Sequence, residues 1–591
     1  MISTPVSDVR VAAQTALAVQ VQNLQVGFAA APGRAGRSTL TEVVRGVSFE
    51  VRPGECLALV GESGSGKSVT ARSLLGLAGA RAQVHADRLD LGGTSVLGLS
   101  DAAWRRRRGK DIGLVLQDAL VSLDPLRTVG REVADSLRLH TTLSATERAD
   151  RVVELLRRVG LPDAELRAAQ LPGTLSGGQR QRALIASAIA LDPPVLIADE
   201  PTTALDVTVQ AQILDLLAEL TAAGTGLLLI SHDLAVVSRI ADRVAVFHDG
   251  RIVETGPTAE VLGDPSHPLT RRMVQAVPVD KPRGSRLSPA RLPATIPSEP
   301  QLKPRSERHP ESETPAQPDV VLEATDLVAA FRGPDGRHRM AVDHVSFTLL
   351  RGETLGLVGE SGSGKTTTAR LALALRSPDS GEVRLFGQEW SALTEKRRLP
   401  LRPTIGAIYQ DALGSFDPRW SVGDILRDAT RPTRTTGTTR ARAARVAEQY
   451  PDQRAERTPA PTPTDLLDWV GLSPTLLARR PLELSGGQRQ RVGIARTLAS
   501  RPQIVICDEP VSALDVGVQA QVLDLLDDLQ RELGLSLLFI SHDLGVIQHI
   551  SDRVAVMQAG RIVEIGPTDR VLGNPEHDYT QSLLEAVPRL G

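Results

Sequence analysis

Two stretches, GESGSGKSVT from Gly61 and GESGSGKTTT from Gly359, set a lysine and a hydroxyl directly after a run of small residues, in the pattern G-x-x-x-x-G-K-[ST]. Glycines at this spacing let the backbone curl until successive N–H groups point at one anion, and the helix that follows adds its positive N-terminus. Such a loop cradles the phosphates of a nucleotide. The first loop comprises Gly61, Glu62, Ser63, Gly64, Ser65, Gly66, Lys67, Ser68 and Val69; the second comprises Gly359, Glu360, Ser361, Gly362, Ser363, Gly364, Lys365, Thr366 and Thr367. Lys67 and Lys365 are expected to neutralise the β- and γ-phosphates, and Ser68 and Thr366 to ligate Mg²⁺. Only six of the 68 basic residues are lysines, so the placement of these two is informative.

Two apolar runs, PVLIADE and QIVICDE, end in paired carboxylates. After a phosphate loop, Asp199 and Asp508 are suited to hold Mg²⁺, and Glu200 and Glu509 to polarise an attacking water. LSGGQ occurs twice, putting Ser176, Gly177, Gly178 and Gln179, and again Ser485, Gly486, Gly487 and Gln488, at the start of a helix whose bare amides suit an anion. His232 and His542 follow the runs GLLLIS and LSLLFIS, while Gln117 and Gln410 end IGLVLQ and IGAIYQ. Singly, these would read as a structural histidine and a polar strand end; their company makes them candidates for catalysis.

These side chains must be held by strands and helices, and the elements themselves repeat. Aligning the chain with itself at an offset of about 300 residues superposes the phosphate loop, LSGGQRQR, the Asp-Glu run and ISHDL in the same order. Short apolar runs ending in polar residues predict buried parallel strands with chemistry at their C-terminal ends, and RVAVFHDGRIVETG predicts a hairpin turning at Asp249-Gly250. The expected domains are 19–278 and 319–591, after an N-terminal extension 1–18. Residues 279–318, rich in proline, serine and charge, are expected to be a flexible tether. Residues 431–464 are expected to be a surface insertion with a short helix near Ala441 to Gln449.

The order phosphate loop, Gln, LSGGQ, Asp-Glu, His, found twice, resembles the nucleotide-binding domain of ATP-binding cassette proteins. The resemblance implies an α/β chain of two tandem P-loop NTPase domains, each with a RecA-like core, an antiparallel β subdomain and a helical subdomain. It adds Gln117 and Gln410 to the Mg²⁺ ligands, and implies that two domains close head to tail over two ATP molecules, pairing Lys67 with Ser485 and Lys365 with Ser176. A fused pair guarantees each half its partner. The family stacks adenine on an aromatic ring ahead of the loop, where Phe28 and Phe331 lie; both could equally be core.

QDALVSLDPLRTVG and QDALGSFDPRWSVG further resemble the segment after the Gln in the importer ATPases for peptides, nickel and glutathione, with Ala119 and Ala412 in place of a proline and Asp124 and Asp417 in place of an asparagine. SHPLTRRMVQAVP and EHDYTQSLLEAVP resemble the same family's His-Pro-Tyr-Thr region. This implies an ATPase at the cytoplasmic face of the membrane, energising import of dipeptides or oligopeptides, or alternatively of glutathione or nickel. Its partners would be two permease subunits, expected to differ from each other because the two segments after the Gln differ, and an extracytoplasmic solute-binding protein. No cysteine lies between Ser266 and Pro318, so the iron-sulfur cluster of some members is not expected.

Composition bounds the reading. A net charge of -2 argues against a general nucleic-acid binder, and basic runs such as WRRRRGKD from Trp104 and EKRRLPLRP from Glu395 read first as solvated faces. No apolar run of about 18 residues could cross a bilayer, and the first twenty residues do not read as a signal peptide. Cys56 and Cys507 sit in apolar runs and are expected to be reduced and buried. The rival class is a soluble tandem cassette ATPase acting on ribosomes or DNA. Such proteins carry long charged helical linkers, zinc cysteines or coiled coils, and a proline-rich linker fits them poorly.

Overall fold

A computed structural model describes residues 17–29, 40–117, 122–203, 205–279, 281–289, 319–332, 338–431, 460–512 and 514–588. The chain forms two compact units, Met1–Val274 with Val587–Gly591, and Gln275–Ala586.

In each unit the short apolar runs become a six-stranded sheet. In the first, the order across the sheet is Arg251–Pro257, Arg243–His248, Cys56–Gly61, Gly226–Ile230, Val195–Asp199, Ile112–Val115. All neighbours are parallel except the outermost pair, Arg243–His248 with Arg251–Pro257, whose turn places Asp249 at φ 46° and Gly250 at φ 78°, the two left-handed residues of a tight hairpin. Strands Cys56–Gly61, Val195–Asp199 and Gly226–Ile230 are buried along their whole length, so they read as continuous rather than alternating apolar runs. The second unit repeats the sheet with Arg561–Pro567, Arg553–Gln558, Thr354–Val358, Ser536–Ser541, Ile504–Asp508 and Ile405–Ile408. The parallel strands all end at the same edge, which is where the loops carrying polar side chains emerge.

A separate antiparallel sheet caps each core: Leu40–Val51 and Val19–Ala29 with three short strands in the first unit, Val320–Arg332 and His338–Leu350 with two in the second. Their inward faces join the core sheet in one apolar cluster that runs from Val19 to Phe247 in the first unit and from Val321 to Met557 in the second. Helices Val129–His140, Ala145–Arg158 and Gly177–Ala188 pack together as a helical layer; Val422–Ala429, Pro463–Trp469 and Gly486–Leu498 are its counterpart. Cys56 and Cys507 are free, buried thiols, and burial pushes both thiol pKa values up. Among the described residues no helix is long and apolar enough to cross a membrane.

Two sequence expectations are corrected. The basic runs are not simply solvated faces. Arg108 donates to the carbonyls of Leu75 and Gly76, and Arg398 and Arg402 donate to those of Ala374 and Leu373. These carbonyls lie just beyond the helices Lys67–Ser73 and Lys365–Ala372, where the chain leaves acceptors that cations satisfy best. The second correction concerns the start of the expected tether. Residues 281–289 are seated on the second unit, with Leu287 and Ser288 buried. The buried Asp524 carboxylate accepts from the Leu287 N–H (3.0 Å), the Ser288 N–H (2.8 Å) and the Ser288 hydroxyl (2.6 Å). Arg286 grips Asp528 in a two-pronged pair at 3.1 Å, and Arg283 reaches Gln530 and Asp552. One leucine and a matched carboxylate supply what the surrounding proline-rich composition lacks. Residues 290–318 and the helix expected near 441–449 lie outside the described residues, as does Ala119.

Candidate active site

The phosphate loop of each unit joins the central strand to the helix behind it. Gly61, Gly64 and Gly66 have φ of 147°, 80° and 107°, and Gly359, Gly362 and Gly364 repeat this at 155°, 82° and 106°. A Cβ on Gly364 would stand 2.1 Å from the Ala341 carbonyl oxygen, so glycine is required there by space as well as by conformation. The loop wraps its own lysine. Lys67 Nζ donates to the carbonyls of Gly61 and Glu62, both at 2.8 Å, and Lys365 Nζ to those of Gly359 (2.7 Å) and Glu360 (2.8 Å). Both lysines are buried, which holds their charge at the floor of the loop.

The hydroxyl after the lysine meets the first carboxylate at the next strand end. Ser68 Oγ donates to Asp199 Oδ1 at 3.0 Å, and Thr366 Oγ1 to Asp508 Oδ1 at 3.1 Å. Burial pushes both aspartate carboxyls up, against the pull of those hydroxyls. A desolvated carboxylate beside a hydroxyl, next to a phosphate cradle, is a hard-oxygen set that fits Mg²⁺, an ion that takes few protein ligands and completes its shell with phosphate and water.

The second carboxylate sits in strained backbone. Glu200 has φ 49° and Glu509 φ 50°, the left-handed region that non-glycine residues enter at a cost of about 1–3 kcal/mol. The turn is pinned by Glu200 N–H donating to Ile230 O (2.9 Å) and Glu509 N–H to Ile540 O (3.0 Å). Three side chains then converge on each glutamate. Gln117 Nε2 donates to Glu200 Oε2 at 2.6 Å, Thr203 Oγ1 donates to the same oxygen at 3.2 Å, and His232 Nδ1 lies 3.1 Å from Oε1. In the second unit Gln410 reaches Glu509 Oε2 at 3.1 Å and Ser512 Oγ at 3.2 Å, and His542 Nδ1 lies 3.2 Å from Glu509 Oε1.

Burial alone would raise the Glu200 carboxyl, but the hydrogen bond and charge of His232, with Thr203 and Lys67, outweigh it and hold the group below its ordinary range. Burial would likewise lower the His232 imidazole, and its bond to Glu200 reverses that. Glu509 and His542 shift in the same directions for the same reasons. Each pair therefore favours imidazolium beside carboxylate, an arrangement that fixes the carboxylate's aim.

The LSGGQ segments begin helices as expected. Ser176 Oγ accepts from Gln179 N–H, and Gln179 Oε1 accepts from Ser176 N–H at 3.1 Å; Ser485 and Gln488 do the same. The two glycines differ in what constrains them. A Cβ on Gly178 would lie 2.5 Å from Val209 Cγ1, and one on Gly487 2.3 Å from Val518 Cγ1, whereas Gly177 and Gly486 face only ordinary contacts. The second glycine thus serves close packing on the helices Val207–Ala222 and Val516–Leu533, and the first leaves the helix start bare.

The aromatic candidates diverge. Phe28 packs on the first unit's core, and Phe331 is exposed, with the Arg376 guanidinium 3.9 Å from its ring centre. Sequence reasoning missed Thr203 and Ser512, although a hydroxyl three residues after each glutamate was visible in the repeat.

Comparison with known proteins agrees with this geometry. A family model described as ABC transporter matches residues 44–203 and 342–512, and one described as oligopeptide/dipeptide transporter, C-terminal region, matches 253–302 and 563–591. The chain is 44% identical over 567 residues to the glutathione import ATP-binding protein GsiA of Escherichia coli (strain K12), covering 92% of this chain and 86% of that one. It is 42% identical over 605 residues to the oligopeptide transport ATP-binding protein OppD of Mycobacterium tuberculosis (strain ATCC 25618 / H37Rv), covering 92% and 95%. A solved complex of an archaeal ribosomal stalk protein with the ribosome recycling factor aABCE1 shares the tandem fold at 20% identity, with a TM-score of 0.55 over 93% of this chain and 92% of that one. The cassette matches cover more than half of the chain and land on both Lys-Asp-Glu clusters, so the chain belongs to the ABC transporter family and is an ATPase.

Proposed function

We propose that this chain is the ATP-hydrolysing subunit of a membrane importer for peptides or glutathione-like peptides, held peripherally at the cytoplasmic face by permease subunits. The observation that carries the solute class is the match of the oligopeptide/dipeptide region after both cassettes, since the cassette itself is common to many transporters. Relatives named for oligopeptide and for glutathione transport support the same class.

The chemistry follows from the site. The loop N–H groups and Lys67 or Lys365 bind the ATP phosphates once the lysine exchanges its loop carbonyls for phosphate oxygens. Ser68 with Asp199, and Thr366 with Asp508, would hold Mg²⁺, joined by Gln117 and Gln410; the ion supplies charge neutralisation at the phosphates. Glu200 and Glu509 orient and polarise the water for in-line attack, and His232 and His542 keep them aimed. Ser176 and Ser485, each capping the start of its own LSGGQ helix, would offer bare helix-start amides to an anion.

Uptake of labelled dipeptides, oligopeptides, glutathione and nickel is the test, in a deletion strain complemented with the parent gene or with the Glu200→Gln, Glu509→Gln double variant. The reading expects peptide or glutathione uptake restored by the parent and not by the variant. Uptake that is unchanged by deletion for all four solutes overturns it.

A further inference from the structure

Resting on that reading, we propose that Tyr579 is a positioning residue for the phosphate loop of the second unit, and that its absence from the first makes the two ATP sites bind unequally. Tyr579 Oη accepts a hydrogen bond from the Glu360 N–H at 3.1 Å. Glu360 is the second residue of the loop, and its own carbonyl accepts from Lys365 Nζ at 2.8 Å. The tyrosine therefore grips the loop at the residue whose carbonyl the lysine must release when phosphate arrives. Beside it, Gly359 is so tightly placed that a Cβ would lie 2.0 Å from the Met557 carbonyl oxygen, so the loop has little room to give on that side.

The tyrosine is itself well held. It stands on the helix Asp578–Ala586, whose start is tied down by Glu564 accepting from the Glu576 N–H (3.0 Å), the His577 N–H (3.3 Å) and the Thr580 hydroxyl (2.6 Å). Its N–H donates to His577 Nδ1 at 3.1 Å.

The first unit builds the same support. Glu254 accepts from the Ser266 N–H (2.7 Å), the His267 N–H (3.1 Å) and the Thr270 hydroxyl, and His267 Nδ1 accepts from the next-but-one N–H at 3.2 Å. The residue presented there, however, is Leu269, a buried hydrocarbon that can accept no hydrogen bond from Glu62. The two halves share a support and differ at its tip. A loop already braced gives up less freedom when nucleotide binds, so the second unit's loop should bind ATP more tightly.

Binding of the fluorescent analogue mant-ATP with Mg²⁺ to the full chain isolates the effect. In a Lys67→Ala background, which leaves the second unit's loop intact, Tyr579→Phe keeps the ring and removes the acceptor; affinity should fall about three- to tenfold, the range of one lost hydrogen bond. In a Lys365→Ala background the same change should leave mant-ATP binding unaltered, and Leu269→Tyr should tighten it. For the otherwise unmodified chain, Tyr579→Phe should raise the KM for ATP more than it lowers kcat. Unchanged affinity of Tyr579→Phe in the Lys67→Ala background overturns the proposal while leaving the ATPase reading intact. An equal loss in both backgrounds also overturns it, because that marks general destabilisation. Failure of the parent chain to bind mant-ATP at all overturns both.

Discussion

Glu200 and Glu509 each combine a strained left-handed backbone with a glutamine, a hydroxyl and an imidazole focused on the one residue. Glutamine at either position keeps size and hydrogen bonding and removes the charge. Each single change should therefore slow ATP turnover by about tenfold or more, measured in the assembled transporter. Near-normal turnover in one of them would show that its site is dispensable. Glu254 gives a different prediction. Burial acts to raise its carboxyl, but hydrogen bonds from Thr270, Ser266 and His267 outweigh this and bring it to about 2. A depressed carboxylate contributes stability that is full above its unfolded value of about 4.5 and is lost as pH falls through the folded value. The melting temperature of Glu254→Gln should thus lie below the parent's at pH 7, by about 2–4 °C, and the gap should narrow as pH falls from about 4.5 toward 2. A gap that stays constant over that range would count against the assignment.

At the scale of elements, the adjacent glycines of LSGGQ separate two roles that the motif fuses. Gly178→Ala drives a methyl into Val209 and should cost about 1–3 kcal/mol, read by denaturant unfolding, whereas Gly177→Ala should be close to neutral in stability. If both cost the same, packing is not what distinguishes them. The seated segment 281–289 divides the expected tether in two. Removing about ten residues within 290–314 should leave ATPase activity nearly unchanged, because the rest of the chain still has reach. Asp524→Ala, by contrast, strands two backbone donors and a hydroxyl and should expose 281–289 to amide hydrogen exchange. Protection that survives the substitution would mean that the carboxylate is not the anchor.

For the whole molecule, the cores are near-copies but the segments after the glutamines are not. Where the first unit presents Leu126, 86% exposed, followed by Arg127, the second presents Arg419 followed by the half-exposed Trp420. Taking these segments as the permease-docking faces of the proposed importer, a symmetric permease pair would offer the same patch twice, so from the swapped apolar and charged positions we propose two different permease chains. Mass measurement of the complex purified from membranes should find one copy of this chain with two unlike permeases. A homodimeric permease, two copies of this chain, or ribosomes would each refute that. The phosphate loops, the Asp-Glu strands and the signature helices were legible in the sequence because their chemistry lies in contiguous spacing, and the repeat displayed each twice. Tyr579 and Asp524 were not, since their partners stand 219 and 237 residues away and only folding brings them together. The internal use of Arg398 and Arg402 was hidden for a related reason: a basic run does not announce which carbonyls its guanidinium groups will cover.

The seat for 281–289 also sets where the gene can be cut. A break placed between 290 and 318 would leave this peptide at the tail of one polypeptide and its receptor, the face bearing Asp524 and Asp528, on the other. The tail would then act as a recognition peptide in trans, and a synthetic peptide of residues 279–289 would compete for the same face. A break before 279 would leave the peptide joined to its receptor and the amino-terminal polypeptide without that handle. Two-gene versions of this ATPase should therefore reassemble well or poorly according to a choice of some ten residues.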